Sequence, residues 1–183
     1  MERTLVILKP DAVRRGLVGE IISRFEKLGL KIIGAKMVTP SEDLAHRHYP
    51  VDRKEFIEGM GRKSLQTYKE QGHDPRDVFG TEDPHKIGLK IQTWMADFLT
   101  SGPVLAVVLE GPHAVEVVRK VSGHTLPFKA EPGTIRGDYS YDSPILANQQ
   151  QRPVHNLVHA SGDKQEAEFE IGLWFSDQEL FDY

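Results

Sequence analysis

The chain contains no cysteine. That excludes disulfide frameworks, thiolate metal sites and thiol nucleophiles together, and it fits a reducing cytosol. Long apolar runs are also missing. The N-terminal LVIL stops at Lys9 and Pro10, and VLAVVL (104 to 109) stops at Glu110. The second falls far short of the roughly 20 residues of a membrane span, and the first is shorter than the roughly 7 to 15 residues of a signal-peptide core. Nor is there an excess of positive charge, since 23 Lys and Arg face 27 Asp and Glu for a net charge of −4. Phosphate backbones are held by basic surfaces, so broad nucleic-acid binding is disfavoured and any anion site must be local. No internal repeat is present. These absences lead us to expect a soluble, cytoplasmic protein with neither a membrane nor a specific nucleic acid as partner.

What is present fits one domain. A length of 183 residues allows one ordinary core, or a smaller core carrying insertions. TLVIL (4 to 8) reads as a buried strand ended by proline. Val18, Ile21, Ile22, Phe25 and Leu28 recur at helical spacing before Gly29, a position that suits a C-terminal glycine. KIIGAKMV (31 to 38) predicts a second strand with Ile33, Ala35 and Met37 on one face. Thr39, Pro40 and Glu42 predict a helix capped by Thr39. PVLAVVLEG (103 to 111) predicts a third strand. From Pro112 a helix follows, with Val115, Val118 and Val121 inward and Gly123 as its stop. LVHAS (157 to 161) predicts a last short strand. Asp163 then caps a helix in which Ala167, Ile171 and Trp174 form an apolar stripe. The order predicts an α+β split β-α-β sandwich, with helices over a mostly antiparallel sheet. Two segments stand outside it as insertions. Residues 57–92 are rich in charge, glycine and proline, with room for one or two short helices, and 142–153 form a polar, proline-bounded loop.

NLVHAS (156 to 161) carries the chemistry. A histidine ending a strand is more often a satisfied polar group than a nucleophile. His159, however, is followed by a helix bearing Glu166 and Glu170 one turn apart, either of which can return a carboxylate to the ring. A carboxylate on one imidazole nitrogen fixes the tautomer and leaves the other nitrogen free to attack. Ser161 adds a nearby hydroxyl. Such a ring suits phosphoryl transfer if cations surround it. Lys9 leaves a buried strand, and Arg136 sits between glycines in PGTIRGD, where the backbone can approach a ligand closely. Arg119 near a helix C-terminus also has a dipole explanation. His46 and His48 are two apart and point to different helix faces, which makes a chelate between them unfavourable. Tyr49 either packs or offers its hydroxyl to a phosphate.

Taken in order, TLVILKPDAVRRGLVGEIISRFEKLGLKI, His48-Tyr49, SGPVLAVVLEG, AVEVVRKVSGHTLP, PGTIRGD, NLVHAS and EIGLWF resemble the nucleoside diphosphate kinase family. The resemblance runs the length of the chain apart from the two insertions. It implies a ferredoxin-like fold with a four-stranded antiparallel sheet, Mg²⁺ carried by the nucleotide's phosphates, and a homo-oligomer, a hexamer or tetramer. It implies phosphorylation of His159, orientation by Glu170 and an adjacent Ser161. Lys9, Tyr49, Arg119, Thr125, Arg136 and Asn156 then hold phosphates and ribose, and Phe56 stacks on the base. The chain departs from the family pattern at Gly162, where an acidic residue is usual, at Ala160, where glycine is common, and at Ile57, which holds the family's phenylalanine offset. The implied activity moves the γ-phosphate of an NTP, typically ATP, to an NDP by ping-pong exchange with broad base tolerance. Two other classes were weighed. One is a regulatory nucleotide-binding module on the same fold, which the intact set of polar residues disfavours. The other is a ferredoxin-like RNA binder, which needs a basic face and an aromatic motif that the sequence lacks.

Overall fold

The computed structural model describes residues 1–183. Four strands, β1 (Glu2–Leu8), β2 (Lys31–Val38), β3 (Val104–Gly111) and β4 (Val158–Ala160), form one sheet in the order β2-β3-β1-β4. Every neighbouring pair is antiparallel. Helices α1 (Pro10–Arg14) and α2 (Val18–Glu26) join β1 to β2. Four more, α3 (Glu42–His48), α4 (Lys54–Glu70), α5 (Arg76–Phe79) and α6 (Pro84–Thr100), lead to β3. Then α7 (Ala114–Ser122), α8 (Ile135–Tyr139) and α9 (Pro144–Gln149) lead to β4, and α10 (Lys164–Trp174) follows it. Because β3 lies between β1 and β2, and β1 between β3 and β4, each β-α-β unit is split by a strand of the other. This is the ferredoxin-like arrangement that the element order predicts.

Both faces of the sheet are covered. Leu5, Ile7 and Val108 pack against Ala45 of α3, Leu99 of α6 and Trp174 of α10. Val6, Leu8, Val107 and Leu109 pack against Phe25 of α2 and Val118 of α7. A strand buried on both sides has no polar face, which is why TLVIL reads as a continuous apolar run.

Several local expectations change. In β2, Ile33 is buried but Ala35 and Met37 are exposed. The register against β3 shifts between Ile32 and Gly34, and a bulge of one residue sends every later side chain to the opposite face. Ser41, not Thr39, caps α3, its hydroxyl accepting from the Leu44 amide at 3.2 Å. Helix α7 starts at Ala114 rather than Pro112, after His113 at φ 53°, and Gly123 at φ 83° ends it as expected. Helix α2 ends at Glu26, which leaves Leu28 56% exposed. Asp163 does cap α10, accepting from the Glu166 amide at 2.8 Å.

The largest difference lies in residues 57–92, where α4 and α6 each run 17 residues. Their buried faces mix large apolar residues with glycine, serine, threonine and glutamine, so hydropathy hides the pattern. In α4 the buried positions Ile57, Gly61, Ser64 and Tyr68 follow helical spacing. A Cβ on Gly61 would lie 1.9 Å from the Pro84 carbonyl oxygen, and one on Gly88 would lie 2.0 Å from that of Ile57. The two glycines therefore let the helices cross backbone to backbone. The 142–153 segment is not all loop either. Pro144 starts α9, capped by the Ser143 hydroxyl, and Asn148 donates to the buried Ser64 hydroxyl of α4 at 3.0 Å.

Candidate active site

β4 pairs His159 with Ile7 of the central strand, so its ring shares the sheet face covered by α3 and α10. Glu170 projects from α10 toward it: His159 Nε2 lies 2.9 Å from Glu170 Oε2 and 2.8 Å from Oε1. Of the two carboxylates that helical spacing allowed, Glu170 is the one that reaches the ring. Its Oε2 also accepts from the Ser161 hydroxyl at 2.6 Å, and Ser161 in turn accepts from the Leu5 amide at 3.2 Å. A carboxylate accepting at Nε2 places the ring proton there and leaves the lone pair on Nδ1.

Electrostatics favour the neutral ring. Burial lowers the His159 pKa, and Lys9, Arg136 and Arg119 lower it further, against an opposing pull from Glu166. The ring is therefore neutral at pH 7. Burial raises the pKa of Glu170, and His48 partly offsets that rise. His48 sits edge-on to His159, ring centroids 4.4 Å apart and planes at 79°. Its Nδ1 accepts from Trp174 Nε1 at 3.3 Å, and its Nε2 is buried with no partner. Burial holds its pKa well below the usual histidine value. His48, His159 and Glu170 bring potential ligand atoms within 4.8 Å of one another. Trp174 holds Nδ1 of His48 and Glu170 holds Nε2 of His159, so we read the trio as a hydrogen-bonded network.

His159 closes one end of a cavity of about 280 Å³. Its cations arrive on separate elements. Lys9 leaves β1 as the N-cap of α1 and donates to Asn156 Oδ1 at 2.9 Å. Burial drops its pKa to about 8. Asn156 Nδ2 donates to the Thr125 carbonyl at 2.9 Å, which ties the loop after α7 to the strand entry. The next residue, Leu157, adopts φ 69°. A left-handed non-glycine residue is costly unless its surroundings enforce it. Here its amide donates to Asp11 Oδ2 at 3.0 Å, and its carbonyl accepts from the Lys9 amide at 2.8 Å.

Arg136 is buried in α8. Its Nε donates to the Asn156 carbonyl at 3.1 Å, Nη1 to Gly123 at 2.7 Å and Nη2 to Val158 at 2.7 Å. Burial, then Arg119, lowers its pKa to about 10. Arg136 thus braces three backbone carbonyls and also lines the cavity. Arg119, Thr125, Tyr49 and Phe56 line the same cavity. Tyr49 is 4% exposed, and burial raises the pKa of its hydroxyl. Ser161 stands behind the cavity wall, in contact through Glu170.

Sequence reasoning missed Arg53, Met60, Ser64 and Asn148, all of which line the cavity. Arg53 sits in an exposed turn, where nothing local distinguishes it from a solvated charge. The others lie in the segments read as insertions. The sequence offers His48 as part of the family's His48-Tyr49 pair and on a different helix face from His46, with no role of its own. Its place beside His159 involves Trp174, 126 residues away.

Fold and cavity together define a ferredoxin-like α+β domain with a neutral histidine at the end of a cation-lined cleft. Comparison with known proteins places it more narrowly. A family model described as nucleoside diphosphate kinase matches residues 2–63 and 88–180. A nucleoside diphosphate kinase of Pyrobaculum aerophilum is 53% identical over 182 residues, covering 100% of this chain and 99% of that protein. The crystal structure of an NDP kinase from P. aerophilum superposes with a TM-score of 0.94 at 52% identity, over 99% of both chains. A transition-state mimic of the Borrelia burgdorferi enzyme with bound vanadate and ADP gives 0.77 at 37% identity, over 100% of this chain and 91% of that one. The chain belongs to the nucleoside diphosphate kinase family.

Proposed function

We propose that this chain is an active nucleoside diphosphate kinase whose phosphate carrier is Nδ1 of His159. The observation that carries the reading is the Glu170 carboxylate on Nε2, which leaves a neutral nucleophilic nitrogen beside Lys9, Arg119 and Arg136. Phosphoryl transfer requires positioning and charge neutralisation more than covalent machinery, and this arrangement supplies both. The Nδ1 lone pair attacks the γ-phosphorus of an NTP. The bond from that phosphorus to the β–γ bridging oxygen breaks, and the NDP leaves with the electron pair. The ring, now phosphorylated and still protonated on Nε2, carries positive charge that Glu170 stabilises. A second NDP attacks the same phosphorus through its terminal phosphate oxygen, restores neutral His159 and departs as NTP.

Lys9, Arg119, Arg136 and Asn156 are assigned to the phosphates, Tyr49 and Thr125 to phosphate and ribose contacts, and Phe56 to the base. Phe56 lines the cavity with the Arg53 guanidinium 5.7 Å from its ring centroid. Hard cations prefer oxygen ligands and keep their water, so Mg²⁺ enters on the nucleotide's phosphates and neutralises them. With Met60, Ile91 and Met95 beside Phe56, the base end is mostly apolar, which favours broad base tolerance. The chain acts as a single domain in which the inserted segments extend the pocket wall. In solution it forms a hexamer or tetramer, and it works in the cytoplasm. No helix is long and apolar enough to cross a membrane.

Incubation with γ-labelled ATP should put acid-labile, base-stable label on the protein, and GDP should remove it as GTP. His159→Ala should abolish label and transfer together. Transfer that survived in this variant would overturn the assignment.

A further inference from the structure

Gly162 and Glu166 occupy one another's space. A Cβ on Gly162 would lie 2.6 Å from Glu166 Oε2, and this oxygen accepts from the Gly162 amide at 2.6 Å. The absence of a side chain at 162 is what lets the Glu166 carboxylate fold back from the first turn of α10 onto the cavity wall. There its Oε1 lies 3.5 Å from Arg53 Nη1, and Arg119 Nη1 is 3.9 Å from the same Cβ position. Its side chain is 23% exposed. Glu170, the other carboxylate of the cavity, is committed to His159 and Ser161. Glu166 is thus the wall carboxylate not engaged by His159, and its Oε1 has only the long 3.5 Å contact with Arg53 to give up to a ligand.

A fixed negative charge among cations that hold phosphates is unfavourable to a bare polyanion. It becomes favourable when the phosphates bring a divalent cation with them, because hard cations take carboxylate oxygens directly or through water. In the free protein, Arg53 and the Gly162 amide satisfy the carboxylate. We infer that Glu166 makes nucleotide binding selective for the magnesium complex: it weakens the metal-free nucleotide and holds the phosphate-borne cation. This rests on the nucleotide reading of the cavity given above.

The test is calorimetric titration of the full-length protein with ADP, once in EDTA and once with excess Mg²⁺. Wild type should bind the magnesium complex more tightly by on the order of tenfold, the scale of one partly screened unit charge. Glu166→Gln should bind metal-free ADP more tightly and narrow the ratio to about twofold. Glu166→Asp keeps the charge and should keep most of the ratio. The exchange Glu166→Ser with Gly162→Asp returns a carboxylate from the other position, which has no positive-φ constraint, and should restore it. An unchanged ratio in Glu166→Gln, or equal weakening of both forms, would reduce Glu166 to a structural tie and overturn the proposal. If wild type bound ADP in neither condition, the nucleotide reading itself would be what failed.

Discussion

At the residue scale the two groups whose charge states matter most are both moved by burial, in directions that set the pH range of activity. His159 has a lowered pKa, so its reactive neutral form persists below the ordinary histidine range. Lys9 falls to about 8, so the free protein loses the charge we assign to phosphate binding as pH rises through about 8. The expected kcat/KM profile is flat through pH 6.5, where an unperturbed histidine would already decline, and it falls above about 8. Lys9→Arg should remove the alkaline limb, since arginine stays charged. An acid limb near 6.5 would show instead that the nucleophile is not desolvated. Glu170→Gln keeps the shape but loses the charge proposed to stabilise a phosphorylated ring. Its kcat should fall about 100-fold while ADP affinity, measured by calorimetry, changes little. Glu170 was legible in sequence because helical spacing narrows the choice to Glu166 and Glu170 and the family motif points to the second. His48 was not, because its tautomer and burial depend on Trp174 and on the ring it packs against.

At the element scale, what the sequence conceals is close backbone contact. Alternating hydropathy located β2 but not its bulge, because pairing with β3 and not local composition decides where the extra residue goes. The same holds for α4 and α6, whose contact runs through Gly61 and Gly88. A glycine-rich, charged stretch reads as loop until its partner is known. Gly61→Ala or Gly88→Ala should therefore destabilise by about 1–3 kcal/mol or more, since the neighbouring atom in each case is backbone and cannot move aside cheaply. Gly59 provides the internal control. A Cβ there meets only the end of the Arg62 side chain at 4.0 Å, so Gly59→Ala should stabilise by roughly 0.5–1 kcal/mol through helix propensity alone. Urea denaturation of the three variants checks the contrast. Equal effects at all three positions would mean that α4 and α6 do not cross as described.

At the scale of the whole molecule, the two chain segments that the sequence set apart meet each other and the nucleotide cavity. Asn148 of α9 and Ser64 of α4 are 3% and 4% exposed and share a 3.0 Å hydrogen bond, and both line the cavity. The exposed Lys129–Glu70 pair at 2.7 Å joins α4 to residues 127–129 instead. Exposed pairs of this kind contribute about 0–1 kcal/mol, so the buried Asn148–Ser64 bond is the polar tie that matters between the two segments. Asn148→Ala leaves the Ser64 hydroxyl buried without that partner and should cost about 1–3 kcal/mol, lowering Tm by about 2–4 °C per kcal/mol in a chain of this size. ADP at about 100 times its Kd should add about 2.7 kcal/mol of stability, and the α4–α6 helical hairpin supplies cavity wall through α4. Bound ADP should also slow amide exchange in α4 and α9 together with β4. In Asn148→Ala the slowing should survive in β4 and weaken in α4, because the clasp that couples the hairpin to the bound nucleotide is gone. Protection confined to α1 and β4 in the wild type would show that the hairpin stands apart from the site and that its contact with α9 serves stability alone.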